Sequence, residues 1–303
     1  MLSGYLSLNR NISIKQTIQY RVPKVLLMKI LELLFGVVAG ILVFFIFKKN
    51  SFTSLISAIK FSSSHWWNPY LAILAGCYLV TPFLKKITED VKLEEYFLVI
   101  GAFFCFVIPS VVDLEYVRRH LSPYIVQLFC WIDNAEVYLP VGSTFLFVLG
   151  HYLGIKTQKV SKKSAIIFIC IGFFSWVLPC FYIVANPDKH SIFNILRYGR
   201  YYGTYVSPLI TLYSASVFIF FKVVFGDIVF SDNITKFITH LARNSVLIYL
   251  LHRVVINLIR PYIPVFWVPS FIIETIADVT LYFIVAYFIS LVLEHLPLIR
   301  KIF

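Results

Sequence analysis

Apolar side chains in this 303-residue chain come in unbroken runs of about 20 residues, separated by short polar stretches. That is the length a helix needs to cross ~30 Å of hydrocarbon. The pattern predicts helices at roughly 23–47, 66–84, 96–112, 137–155, 164–184, 203–224, 240–260 and 268–292. The runs lack the alternation of a membrane strand. Open strands in lipid would also leave backbone N–H and C=O groups without partners. The predicted fold class is therefore all-α, a polytopic membrane helical bundle of about eight transmembrane helices. Residues 1–22 are expected as a polar cytoplasmic segment, 23–292 as the bundle and 293–303 as a cytoplasmic tail, together one domain.

Charge sets the orientation, because cytoplasmic loops keep lysine and arginine. With both termini inside, the cytoplasmic face collects Arg10, Lys15, Arg21, Lys24, Lys85, Lys86, Lys92, Lys156, Lys159, Lys162, Lys163, Lys222, Lys236, Arg243, Arg300 and Lys301, and fewer fall outside. The reading is N-in and C-in. Trp66, Trp67 and Trp267 then sit at outer span ends, where amphipathic rings settle. The outer loops at 113–136 and 185–202 are rich in aromatic residues, among them Tyr116, Tyr124, Trp131, Tyr198, Tyr201 and Tyr202. Such rings suit either an interface belt or contact with a saccharide or lipid headgroup.

Composition agrees with this picture: 59% of residues are hydrophobic and 14% charged, against roughly half and a quarter in soluble domains. The net charge of +12 follows from membrane topology. No basic run is longer than a pair, and no nucleic-acid module is present. The cysteines Cys77, Cys105, Cys130, Cys170 and Cys180 form no C-x-x-C pair and read as packing residues, not as disulfide or metal ligands.

Ionisable groups inside spans are functional candidates. Arg21 and Lys24 flank Pro23, which suits the first turn of a helix because its missing N–H is harmless there. Two cations beside a positive helix end suit phosphate; they equally suit cytoplasmic anchoring. Lys29 and Glu32, three apart, suit a pair. Glu274 and Asp278 lie four apart in the last span and serve either as a proton or ion path or as partners of Arg253. His151, Tyr249 and His252 are further buried candidates, though a lone histidine in an apolar span is more often a packing residue. The G-x-S-x-G, H-E-x-x-H and P-loop signatures are absent. Residue chemistry alone leaves enzyme and transporter open.

Four stretches, in order, resemble the membrane acyltransferase family 3, integral-membrane enzymes that O-acylate glycans. Met1-Leu2-Ser3-Gly4-Tyr5-Leu6 resembles the family's S-G-Y-L segment at the close of its second span. Arg21-Val22-Pro23-Lys24 is similar to its R-x-x-R element, with lysine second. His65-Trp66-Trp67-Asn68-Pro69-Tyr70, continuing to Gly76, Tyr78, Thr81 and Pro82, is similar to its H-x-W-[YF]-x-Y stretch. Asn244-Ser245-Val246-Leu247-Ile248-Tyr249-Leu250-Leu251-His252 resembles its S-x-x-[IV]-Y-L-x-H signature.

The resemblance implies transfer of an acyl group, typically acetyl, from acyl-CoA to a hydroxyl of a surface glycan or lipid-linked sugar at the bacterial cytoplasmic membrane. Acyl-CoA enters as co-substrate, with no resident cofactor and no metal. The implied partners are membrane lipid and the glycan or lipid-linked sugar acceptor, with no nucleic acid; the chain is compatible with an oligomer. Arg21 and Lys24 would hold the donor's phosphates, with Trp67, Tyr70, Tyr249, His252, Arg253, Glu274 and Asp278 in support. The family's catalytic histidine, with an arginine before it, lies upstream of the S-G-Y segment, so no position here matches it, and neither His65 nor His252 inherits the role by motif. The expectation is a chain two spans short of the family pattern, from a longer reading frame or a degenerate relative, and inactive or impaired as written. The rival reading is a non-catalytic exporter or flippase of a glycan or lipid-linked precursor.

Overall fold

A computed structural model describes residues 1–10, 13–46, 70–113, 120–133, 137, 139–185, 208–259, 271–297 and 299. In chain order the helices are α1 (Leu2–Leu8), α2 (Ile14–Gln16), α3 (Val22–Ile46), α4 (Tyr70–Thr88), α5 (Val91–Ala102), α6 (Ile108–Asp113), α7 (Pro123–Asp133), α8 (Ser143–Lys156), α9 (Lys162–Ala185), α10 (Pro208–Phe225), α11 (Asp232–Ile259) and α12 (Phe271–Leu293). No strand occurs among the described residues.

Among the described residues four segments are long and apolar enough to cross a membrane: Ile14–Leu42, Tyr70–Thr88, Pro208–Phe225 and Ile276–Leu293. Large apolar side chains point outward from such helices, with Phe83 69% and Val292 70% exposed. In water that surface would aggregate; against lipid tails it is matched. The protein is an all-helical integral membrane protein.

Helices form where a polar segment and a loop are expected. The first residues form α1, and the loop expected at 113–136 contains α7, which leaves Tyr124 and Trp131 exposed. Pro23 also does not open a helix. A π-helical turn at Thr17–Arg21 joins α2 to α3, so the helix begins at Ser13, whose hydroxyl accepts from the Gln16 N–H in a capping box. A second π turn, Phe103–Val107, joins α5 to α6, and Pro109 follows it as Pro23 follows the first. A proline ring collides with the carbonyl four residues back. Here those carbonyls belong to Gln19 and Cys105, each inside the wider π turn, which makes room for the ring.

The chain folds as two compact units. Unit 1 comprises Met1–Thr17 and Gly76–Val229. In it α1 lies against α8 along a seam of glycines. A Cβ at Gly4 would stand 1.8 Å from the Phe147 carbonyl oxygen, one at Gly150 2.1 Å from the Met1 carbonyl oxygen, and one at Gly154 2.0 Å from the Tyr5 ring. Gly150-His151-Tyr152-Leu153-Gly154 is thus a G-x-x-x-G seam, the device by which membrane helices approach closely where lipid gives no hydrophobic drive. Alongside it, α9 packs on α10 around the fully buried Ser216.

Unit 2 comprises Ile18–Ala75 and Phe230–Phe303. Its core is Leu247, Ile248, Leu251 and Val255 of α11 with Tyr282 and Ala286 of α12, and Phe35 of α3 packs against it. Polar closure accompanies the apolar core, because buried Asn244 donates to Glu294 Oε2 at 3.0 Å.

Candidate functional site

The cations come first, since charge is rarest in lipid. Arg21 is half-buried at the end of the π turn and Lys24 is exposed one turn on. Neither stands at a helix end. The positive dipole end belongs to the turn capped by Ser13, and its influence fades within that first turn. The helix-end contribution to phosphate binding expected from Pro23 is therefore corrected; what remains is the two side-chain charges on one face. Farther along α3, Lys29 Nζ meets Glu32 Oε2 at 2.8 Å.

Three of the supporting residues come together in unit 2. The Tyr70 and Tyr249 rings meet edge to face with centroids 5.2 Å apart, and Tyr249 lies 5.3 Å from the His252 ring. His252 Nδ1 is bound to the Tyr249 carbonyl oxygen one helical turn back. A carbonyl only accepts, so Nδ1 carries the proton, and in the neutral ring the lone pair resides on Nε2. Local helix geometry thus selects the Nδ1–H tautomer.

Asp278 is half-buried on α12, where Glu274 precedes it by one turn. Trp67, with His65, and the side chains of Arg253 and Glu274 lie outside the described residues. The same holds for Tyr116, Tyr198, Tyr201 and Tyr202.

Unit 1 holds a constellation that the sequence pattern half concealed. His151 Nδ1 lies 2.8 Å from Glu94 Oε1, with side chains 5% and 2% exposed. Next to it the Tyr152 hydroxyl donates to Glu95 Oε1 at 3.0 Å, and Lys156 Nζ stands 3.4 Å from the same oxygen. Histidine was a candidate; its carboxylate was missed because 91–95 read as loop. The missed signal is Asp90, whose side chain accepts the Lys92 and Leu93 N–H groups as an N-cap. That cap starts α5 early enough to carry Glu94 into the packed interior.

An apolar helical shell, with a cationic helix segment and the buried His151 held by Glu94, defines an integral membrane protein. The chain belongs to the membrane acyltransferase family 3: the family model described as an acyltransferase domain matches residues 1–295. No curated protein and no solved structure matches it. The motif resemblance and the family model agree, and the chain carries an acyltransferase domain over almost its whole length.

Proposed function

We propose that this protein transfers an acyl group, acetyl in the simplest case, from acyl-CoA to a hydroxyl of a surface glycan or lipid-linked sugar. The family match over residues 1–295 carries this reading. In the proposed topology the chain crosses a bacterial cytoplasmic membrane as one domain of about eight helices, N-in and C-in, as the distribution of Lys and Arg favours. Arg21 and Lys24 then face the cytoplasm and hold the donor's phosphates by charge.

Coenzyme A is a long molecule with phosphates at one end and the thioester at the other. Arg21 lies about 21 Å along the helix axis from Phe35, at 1.5 Å per residue, and Phe35 packs on the cluster that contains Leu251, the neighbour of His252. Phosphate contacts and proton chemistry are thus separated along one unit, as such a donor requires. The family's histidine has no matching position, so the base is assigned here by geometry and not by motif: His252 Nε2 takes the proton of the acceptor hydroxyl as its oxygen attacks the thioester carbonyl. The C–O bond forms, the C–S bond breaks, and the coenzyme A thiolate leaves and is protonated by the imidazolium. The Nδ1–H bond to the Tyr249 carbonyl holds the ring in the tautomer that this step needs.

The test is transfer of labelled acetyl from acetyl-CoA in membranes carrying the full chain. Label in the glycan fraction, with the donor KM raised about tenfold in Arg21→Ala, is the expected result. Translocation of a labelled lipid-linked sugar without acyl donor, and no acetyl transfer, would overturn it in favour of an exporter or flippase.

A further inference from the structure

A second cation, outside the elements assigned to acyl transfer, has no counter-charge among the described residues. Lys222 sits in the last turn of α10, and its Nζ is sealed from solvent without a hydrogen-bond partner among the described residues. It stands over the Tyr5 ring, 4.3 Å from the centroid. Lys222 is also among the residues lining an almost wholly apolar cavity of about 510 Å³, whose walls include Leu2, Tyr5, Val217, Phe218 and Phe221, so that the ammonium lies just behind the cavity wall. Among the described residues lining it there is no carboxylate.

An unpaired ammonium in apolar surroundings is costly. The ring face and the helix C-terminus offset part of that cost, but neither neutralises the charge. The cavity's chemistry specifies what would: an anion joined to an apolar chain. Position narrows the choice, because α10 is long and apolar enough to span the membrane and Lys222 lies in its terminal turn, at the depth where lipid phosphates begin. We infer that the cleft between α1 and α10 is a binding site for an anionic membrane phospholipid, with an acyl chain along Val217, Phe218 and Phe221 and the phosphate on Lys222. This goes beyond acyl transfer and needs no turnover to be tested.

The experiment uses the full chain in phosphatidylcholine nanodiscs containing a minor share of phosphatidylglycerol, with lipids retained on release counted by native mass spectrometry. Wild type is expected to retain phosphatidylglycerol in preference to phosphatidylcholine. Lys222→Gln should lower that retention about tenfold, Lys222→Arg should preserve it, and Val217→Trp, which fills the cleft, should abolish it. Thermal melting in the same discs identifies variants that fold; if Lys222→Gln does not fold, the Arg and Trp variants decide. Equal retention of the two lipids by wild type overturns the inference, as does unchanged retention in folded Lys222→Gln or in Val217→Trp. Displacement of the lipid by acetyl-CoA, with a Lys222-dependent donor KM, would reassign the cleft to the acyl donor and also overturn it.

Discussion

His151 and His252 occupy equivalent positions in the sequence pattern, each an imidazole on an apolar helix, yet the two units use them differently. In unit 1 the partner of His151 is the carboxylate of Glu94, 57 residues away on another helix, and both groups are buried. The pair ties α5 to α8. In unit 2 His252 Nδ1 donates to a carbonyl of its own helix, three residues back. That bond joins no two helices; it fixes a rotamer and a tautomer. A long-range polar link ties two helices together, whereas a local one orients a ring within its own helix.

His252→Gln separates the two histidines most strongly. Loss of the base proposed above should lower kcat about 10²-fold or more, while stability should change by about 1 kcal/mol, the scale of the hydrogen bond to the Tyr249 carbonyl. Acetyl transfer and thermal melting on one preparation check both halves. A large melting loss, or unchanged kcat in a folded variant, would show that His252 is a packing residue.

Glu94→Ala should do the converse and weaken the fold by about 3 kcal/mol, the scale for breaking a buried pair by removing one partner. Glu94→Gln retains an oxygen for the His151 Nδ1–H and should lose less than half as much. Denaturant titration of the purified protein separates the two. Equal losses would mean that charge, not the hydrogen bond, links α5 to α8.

The difference also explains what could be read from sequence. Tyr249 and His252 lie within one signature, and their bond follows from helical spacing, so local order disclosed the arrangement. Glu94 and His151 meet only through packing, which no one-dimensional pattern encodes. Even there the cap at Asp90 was visible and would have placed Glu94 inside a helix. Pro23 misled for a related reason: its chemistry suits a first turn, but a π turn upstream lets it sit within a helix, and that choice is made by the surrounding backbone. The G-x-x-x-G spacing at 150 and 154 went unread, because its partner, α1, lies in residues that read as a polar segment.

That seam gives the next effect in size. Gly150→Leu drives a side chain into the Met1 backbone and should cost about 1–3 kcal/mol. Gly76, where an added Cβ meets nothing within 4 Å, is the control. Gly76→Ala should be neutral or stabilise the helix by up to about 1 kcal/mol. Chemical denaturation of both variants, with far-UV circular dichroism to confirm helix content, tests whether close approach at α8 or general helix propensity governs unit 1.

The smallest expected effect lies in unit 2, where a long-range polar link also exists: Asn244 donates to Glu294 across α11 and α12. Here Asn244 also reaches the His240 carbonyl at 3.3 Å, so its amide has a local alternative. The helices are further held by the apolar core around Leu247, Leu251 and Ala286. Interhelical hydrogen bonds in membranes are worth about 0.6 kcal/mol on average, and Asn244→Ala should cost about 1 kcal/mol, with acyl transfer retained. Melting of Asn244→Ala, Glu294→Ala and the double variant measures the coupling directly. A coupling as large as that of the Glu94 and His151 pair would erase the contrast between the units; a small one would assign the holding of unit 2 chiefly to apolar packing.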